Sequence, residues 1–446
     1  MEKMIHLLNG TVVNEGKSEP KHLVLKSGRI ESVSDTVPTG KADEVIDCSG
    51  SWVIPGLIDD QVHFREPGFP KKGTIKTESL AAAVGGVTSY MEMPNTHPTT
   101  TDFEAWENKY TIAAKDSYVN YAFYMGASNS NIDVMKAVDP KRTPGIKAFM
   151  GSSTGNMKVS DPEILELVFK NAPILITTHC EDDDMIAANL DRYKAVWGEE
   201  IPPRYHPEIR SREACLASSS LAVELAKRHG TQLHILHITT EEELKLFDPG
   251  PLEGKSITSE ACVHHLHFDD SSYERLGHQL KCNPAVKSSS DREAIVAAVN
   301  EGRIDVIATD HAPHEFEYKS LPYERAPSGL PLVQHSLQVL LEHVHSGEFT
   351  IEKIVEKTSH AVAKRFDVHE RGFIREGYWA DLVVCKIADE PIPVAGQPIH
   401  SQCGWTPFEQ DSFHSVVEKT FVSGNLVVSD GELQTNPRGA ALSFNR

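Results

Sequence analysis

GLIDDQVHF at residues 56–64 and IDVIATDH at residues 304–311 are short apolar runs with histidine and carboxylate at or near their ends. Six more such runs lie between them: VTSYMEM (87–93), NYAFYMG (120–126), GIKAFM (145–150), ILITTH (174–179), LHILHI (233–238) and SITSEACV (256–263). Apolar runs of this length fit strands buried on both faces. Helix-like stretches separate most of them, for instance EACLASSSLAVELAKRH (213–229) and DREAIVAAVNE (291–301). Such alternation implies right-handed βαβ units around a parallel sheet. Eight units would close a (β/α)8 TIM-like barrel, and an open doubly wound sheet is the competing topology. No GxGxxG follows the first strand, so nothing supports a dinucleotide fold.

Outside this region the pattern is different. IHLLNGTVV (5–13), HLVLKSGRIESV (22–33) and ADEVIDCSG (42–50) read as short strands with turns, and so do ADLVVCKI (380–387) and SVVEKTFVSGNLVVSDGEL (415–433). Ser-Gly pairs at Ser27-Gly28 and Ser423-Gly424 supply hairpin turns. One small sheet domain assembled from both ends accounts for this, the alternative being two unrelated appendages. The expected division is 1–53 and 370–446 for the sheet domain and 54–369 for the barrel.

The 446 residues are 39% hydrophobic and 24% charged, as in a soluble globular enzyme. No run approaches the roughly 20 apolar residues of a membrane span, and the first 30 residues lack a signal-peptide pattern. A net charge of −20 argues against nucleic acid, although a local cation could still draw in a small anionic substrate. The seven cysteines form no CxxC pair, which fits a reducing, cytoplasmic setting without disulfides.

The chemistry collects at the strand ends, where a barrel keeps its active site. Asp59, Gln61, His63 and Arg65 alternate, so a regular strand would point them the same way. Lys147 sits in the fourth run, His179 ends the fifth, His237 lies in the sixth with His234 opposite, and Asp310 closes the eighth. Each histidine alone reads as a structural residue. Imidazoles and a carboxylate from four separate strands instead suit an open zinc site with a position left for water.

The segments PGLIDDQVHFREPG (55–68), MEMPNTHP (91–98), GIKAFMGSSTGN (145–156), THCED (178–182), HILHIT (234–239), TSEACVHHL (258–266), KCNPAVKSSSDRE (281–293), ATDHAPH (308–314) and APSGLP (326–331) together resemble the amidohydrolase superfamily, in its cyclic amidase branch the dihydroorotases. The resemblance implies a β-sandwich built by the two termini beside the barrel. It implies one or two Zn2+ ions held by His63, His179, His237 and Asp310, with Lys147 matching the lysine that relatives carboxylate at Nζ. Some relatives use an aspartate a few residues on, where this chain has Gly151-Ser152-Ser153. One departure stands out, because Gln61-Val62-His63 replaces the usual His-x-His. An amide is a poor zinc ligand beside an imidazole, so Gln61 is a doubtful ligand.

Arg65 is the discriminating residue: its guanidinium fork suits the carboxylate of dihydroorotate. By the same resemblance Asn95, Asn283, His314, Ser328 and Gly329 contact substrate, and Asp310 is the general acid–base. The implied reaction is reversible hydrolysis of (S)-dihydroorotate to N-carbamoyl-L-aspartate, a step of pyrimidine biosynthesis. A hydantoinase- or allantoinase-like amidase is the first rival. A non-catalytic subunit that partners aspartate transcarbamoylase is the second, supported only by Gln61. Relatives are often dimers or tetramers, which points to a homo-oligomer. Glu181 shares a strand face with His179 and is a candidate to orient the site, while His264, His265, Cys180 and Trp405 are left without an assigned role.

Overall fold

A computed structural model describes residues 3–151, 157–159 and 161–446, so Ser152 and Ser153 of the segment after the fourth run lie outside the described residues. Strands β1 (Met4–Asn14), β2 (Lys17–Lys26), β3 (Arg29–Ser34), β4 (Glu44–Asp47) and β5 (Trp52–Pro55) precede the barrel. The barrel strands are β6 (Leu57–Val62), β7 (Val87–Glu92), β8 (Asn120–Phe123) with its short continuation β9 (Met125–Gly126), β10 (Ile146–Phe149), β11 (Ile176–His179), β12 (Leu233–Ile235), β13 (Ile257–Cys262) and β14 (Val306–Ala308). Strands β15 (Leu382–Pro393), β16 (Ser412–Val422), β17 (Asn425–Ser429) and β18 (Glu432–Leu433) follow.

All eight expected runs become parallel strands. They pair as β6–β7–β8 and as β9–β10–β11–β12–β13–β14. The ring joins where a parallel bridge links Val62 to His311 and the His63 amide donates to the His311 carbonyl at 2.7 Å. Every residue of β7 is buried, as expected of a strand covered on both faces. Local chemistry sets the surrounding helices. Ser288 and Asp291 form a capping box at the start of helix Ser289–Glu301, and Gly230 ends helix Arg212–His229 in the left-handed region at φ 69°.

The two ends of the chain build one nine-stranded sheet, in the order β18-β17-β16-β15-β5-β1-β2-β3 with β4 on β1. Its own apolar core includes Ile5, Leu23, Ile30, Val53, Leu382 and Phe421. Beyond that sheet the last residues return to the barrel. Ala441 bridges Tyr121, Leu442 and Phe444 are buried against Tyr124 and Phe366, and the Arg446 guanidinium donates to the carbonyls of Thr143, Pro144 and Phe366.

The simple alternation expected for the first run does not hold. The pairing of β6 with β7 shifts between Asp59 and Val62. The Asp59 carboxylate therefore turns to the neighbouring strand end, where it accepts from Thr309 N and Thr309 Oγ1 at 3.2 and 2.6 Å. The sixth run also differs from expectation. The strand stops at Ile235, and His237 lies past it at φ 41°. His234, read as facing away, is fully buried and approaches Asp60 across the barrel.

Candidate metal centre and substrate cavity

A cavity of about 430 Å3 opens at the C-terminal ends of the barrel strands, and its walls contain all twelve residues singled out from the sequence. Three of them sit past strand ends in the left-handed region, namely Arg65 at φ 70°, His237 at φ 41° and Asp310 at φ 51°. Side chains of this kind adopt that conformation at a cost of roughly 1–3 kcal/mol, and such strain gathers where geometry is imposed for function.

The acid and imidazole groups form two close pairs. His63 Nε2 lies 3.1 Å from Asp310 Oδ1, and His179 Nδ1 lies 3.0 Å from His237 Nε2. In each pair one ring is oriented from behind. Asn95 Oδ1 lies 2.7 Å from His63 Nδ1, and Glu181 Oε2 lies 2.8 Å from His179 Nε2. A ring that donates its outer N–H in this way turns a lone pair towards its partner. Burial holds His63 below its ordinary pKa despite the opposing pull of Asp310. Burial, followed by the charge of His179, holds His237 well below. Both rings are therefore neutral at physiological pH, the state in which imidazole binds metal.

Lys147 is 1% exposed, and its Nζ has no hydrogen-bond partner among the described residues. Burial pulls its pKa down to about 8. These features fit a metal centre. The separation of His179 and His237 is close to the roughly 3.3 Å expected between two nitrogens on one tetrahedral ion. An orphaned amine beside them is the group that carboxylation would turn into an anionic ligand. Gln61 fits less well, because its Nε2 donates to Asp310 Oδ1 at 3.1 Å and its Oε1 lies 3.9 Å from Cys262 Sγ.

The far wall is cationic. Arg65 donates through Nε to the Pro313 carbonyl at 3.2 Å, and its Nη2 lies 3.1 Å from His314 Nε2. It has no carboxylate partner among the described residues. Glu66, its neighbour in sequence, accepts from the Ile75 amide instead. Burial draws the Arg65 pKa down to about 10. Asn283 Oδ1 is buried without a partner among the described residues, and His314 Nε2 also lies 3.0 Å from the Ser328 carbonyl. Gly329 has φ 137°, and a Cβ there would lie 2.5 Å from the Ala312 carbonyl oxygen. Glycine is required for the loop to approach this closely. Asn95 spends its carbonyl on His63, which leaves only its amide nitrogen for a ligand.

Several contributors escaped the sequence reading. The Arg210 guanidinium pairs with Glu181 at 2.5–3.2 Å, which fixes the carboxylate behind His179. Burial raises the Glu181 pKa, but Arg210 and His179 outweigh that and leave it well below the carboxylate range. Lys281 lines the cavity and ties down the opposite loop by donating to the carbonyls of Tyr323 and Ala326 at 2.5 and 2.6 Å. Trp405 gains a role, since its indole N–H holds the His314 carbonyl at 2.7 Å. His264 and His265 are buried outside the cavity wall, and burial raises the Cys180 thiol to about 12. A lone Trp, or an Arg 29 residues from its partner, carries no spacing signal that would have revealed it.

Residues 52–427 match the amidohydrolase family, and the chain belongs to that family. Within it, the chain is 32% identical over 417 residues to a dihydroorotase of Methanosarcina mazei, covering 91% of this chain and 90% of that one. It is 30% identical over 435 residues to a dihydroorotase of Listeria welshimeri, covering 96% of this chain and 100% of that one. The fold is similar to that of an L-hydantoinase (dihydropyrimidinase) from Arthrobacter aurescens, with a TM-score of 0.93 and 24% identity over 99% of this chain and 100% of that one. No helix among the described residues is long and apolar enough to cross a membrane.

Proposed function

We propose that this protein is a metal-dependent dihydroorotase, which hydrolyses the ring amide of (S)-dihydroorotate and closes N-carbamoyl-L-aspartate in the reverse direction. One observation carries the substrate assignment: a buried arginine with no carboxylate partner among the described residues faces the cavity that gathers the two histidine-bearing pairs. A carboxylated ring supplies the missing anion.

Zinc is the proposed ion, held by His179, His237 and an Nζ-carboxylated Lys147, with His63 and Asp310 completing a second position. The neutral fraction of an amine rises as its pKa falls, and only the neutral amine adds CO2. The pKa of Lys147, near 8, supports that reading. When bound, the ion supplies a nucleophilic water near neutral pH and polarises the amide carbonyl.

The chain's own groups do the rest. Arg65 fixes the substrate carboxylate bidentately, while the Asn95 amide, Asn283 and the loop at Ser328 and Gly329 orient the ring. Asp310 takes the proton of the attacking water and returns it to the leaving nitrogen. Burial raises its pKa, but the adjacent His63 more than offsets this, so the carboxylate starts ionised. Asp310→Asn keeps the shape and removes the base. The expected result is a fall in kcat of at least a hundredfold with an unchanged Tm. Wild-type turnover of dihydroorotate by that variant would overturn the assignment.

A further inference from the structure

Below the cavity a second cluster has no part in the reaction just described. Asp60, His234 and Glu260 are fully buried, and none of them lines the cavity. They come from β6, β12 and β13. His234 Nε2 lies 3.4 Å from Asp60 Oδ2 and 3.8 Å from Glu260 Oε2, and one donor atom from each of the three lies within 4.8 Å of the others. Both oxygens of Asp60, Oε2 of Glu260 and Nε2 of His234 have no hydrogen-bond partner among the described residues.

The surrounding bonds show which way these groups point. The Thr258 hydroxyl donates to the Leu233 carbonyl at 3.2 Å, so its oxygen is left to accept from His234 Nδ1–H at 2.8 Å. A neutral His234 then turns the lone pair of Nε2 towards two carboxylates. Glu260 cannot swing away, because its Oε1 accepts from the His237 amide at 3.0 Å. Lys147 lies near enough to feel the Glu260 charge, but it makes no hydrogen bond to it. Three acceptors facing one another in a dry interior repel unless protons or a metal cation lie between them.

We propose that Asp60, His234 and Glu260 form an interior binding site for a divalent transition ion, separate from the cavity and independent of its assignment. Two carboxylates and a neutral imidazole carry a charge of −2, which one such ion cancels. The 3.4 and 3.8 Å separations suit ligands about 2.0–2.2 Å from a shared zinc. Protons are the competing occupants, because burial and the Asp60 charge raise the Glu260 pKa, and the two carboxylates outweigh burial to raise that of His234.

Zinc is the probe. Crystals of the wild-type protein grown with zinc are measured on both sides of its absorption edge, and metal per chain is counted in solution. An anomalous peak enclosed by the three side chains is expected. Asp60→Leu should lose one equivalent of zinc per chain, whereas His179→Ala, which disturbs the cavity, should leave the interior peak in place. No anomalous peak between the three residues in wild-type protein, or ordered density there without an anomalous signal, as from a water, would overturn the proposal. The same holds for a zinc count that Asp60→Leu does not change. The wild-type map decides the matter even if Asp60→Leu fails to fold.

Discussion

Replacing Arg65 with methionine should move activity and stability in opposite directions. The guanidinium is 8% exposed, bonds among the described residues to a carbonyl and an imidazole, and has its pKa drawn down to about 10 by burial. Measured against an ordinary value above 12, at about 1.4 kcal/mol per pH unit, that shift amounts to roughly 3 kcal/mol of unfavourable burial. Methionine fills similar space without a charge, so the variant should unfold at a higher temperature. The substrate carboxylate would lose two charge-assisted hydrogen bonds of about 1.5–3 kcal/mol each. Together these predict a fall in kcat/KM of about a hundred- to ten-thousandfold on dihydroorotate. The assay pairs steady-state hydrolysis of dihydroorotate and of dihydrouracil, which lacks the carboxylate, with thermal unfolding. Dihydrouracil hydrolysis, however slow, should be little changed. Equal losses on both rings, or a Tm that falls along with activity, would show that Arg65 holds the fold and does not recognise an anion.

Three further outcomes follow from contacts around the cavity. Gly329→Ala forces a Cβ to within 2.5 Å of the Ala312 carbonyl at φ 137°, so strain of about 1–3 kcal/mol should lower Tm and raise KM, and a variant unchanged in both would refute the close approach. Trp405→Phe removes the N–H that holds the His314 carbonyl, and a loss of about 1 kcal/mol should appear as a severalfold higher KM with kcat preserved in steady-state assays. Glu181→Gln removes the carboxylate that pairs with the buried Arg210, at a cost of about 3–5 kcal/mol. Because the folded-state pKa of Glu181 is depressed, its stabilisation is complete above the unfolded value of about 4.3 and disappears as pH falls through the folded one. Thermal unfolding should therefore show a Tm gap between wild type and variant that is steady from pH 5 to 7 and closes in more acid solution.

The strand ends were legible because apolar runs with a polar terminus have a local signature, and so His63, Lys147, His179, His237 and Asp310 could be picked out without coordinates. What escaped depends on register and on partners distant in sequence. Nothing in GLIDDQVHF marks the shift between Asp59 and Val62 that turns one aspartate to Thr309 and brings its neighbour towards His234. Period-two alternation assumes a regular ladder, and a one-residue slip reverses every face beyond it. His237 was found for its residue type and not its geometry, since its strand had already ended at Ile235. The supports behind the two histidines, Arg210 to Glu181 and Asn95 to His63, join residues 29 and 32 positions apart in connections whose course no local pattern reveals.

The join between Val62 and His311 has a consequence for how this molecule can be cut or rearranged. His63 and Asp310 stand on opposite lips of that seam, 247 positions apart in the chain yet 3.1 Å apart in space. A fragment that stops short of residue 304 would keep most of the walls and lose half of this pair, so partial molecules should be inert, not merely feeble. Turnover in this protein thus doubles as a report that the cylinder has shut.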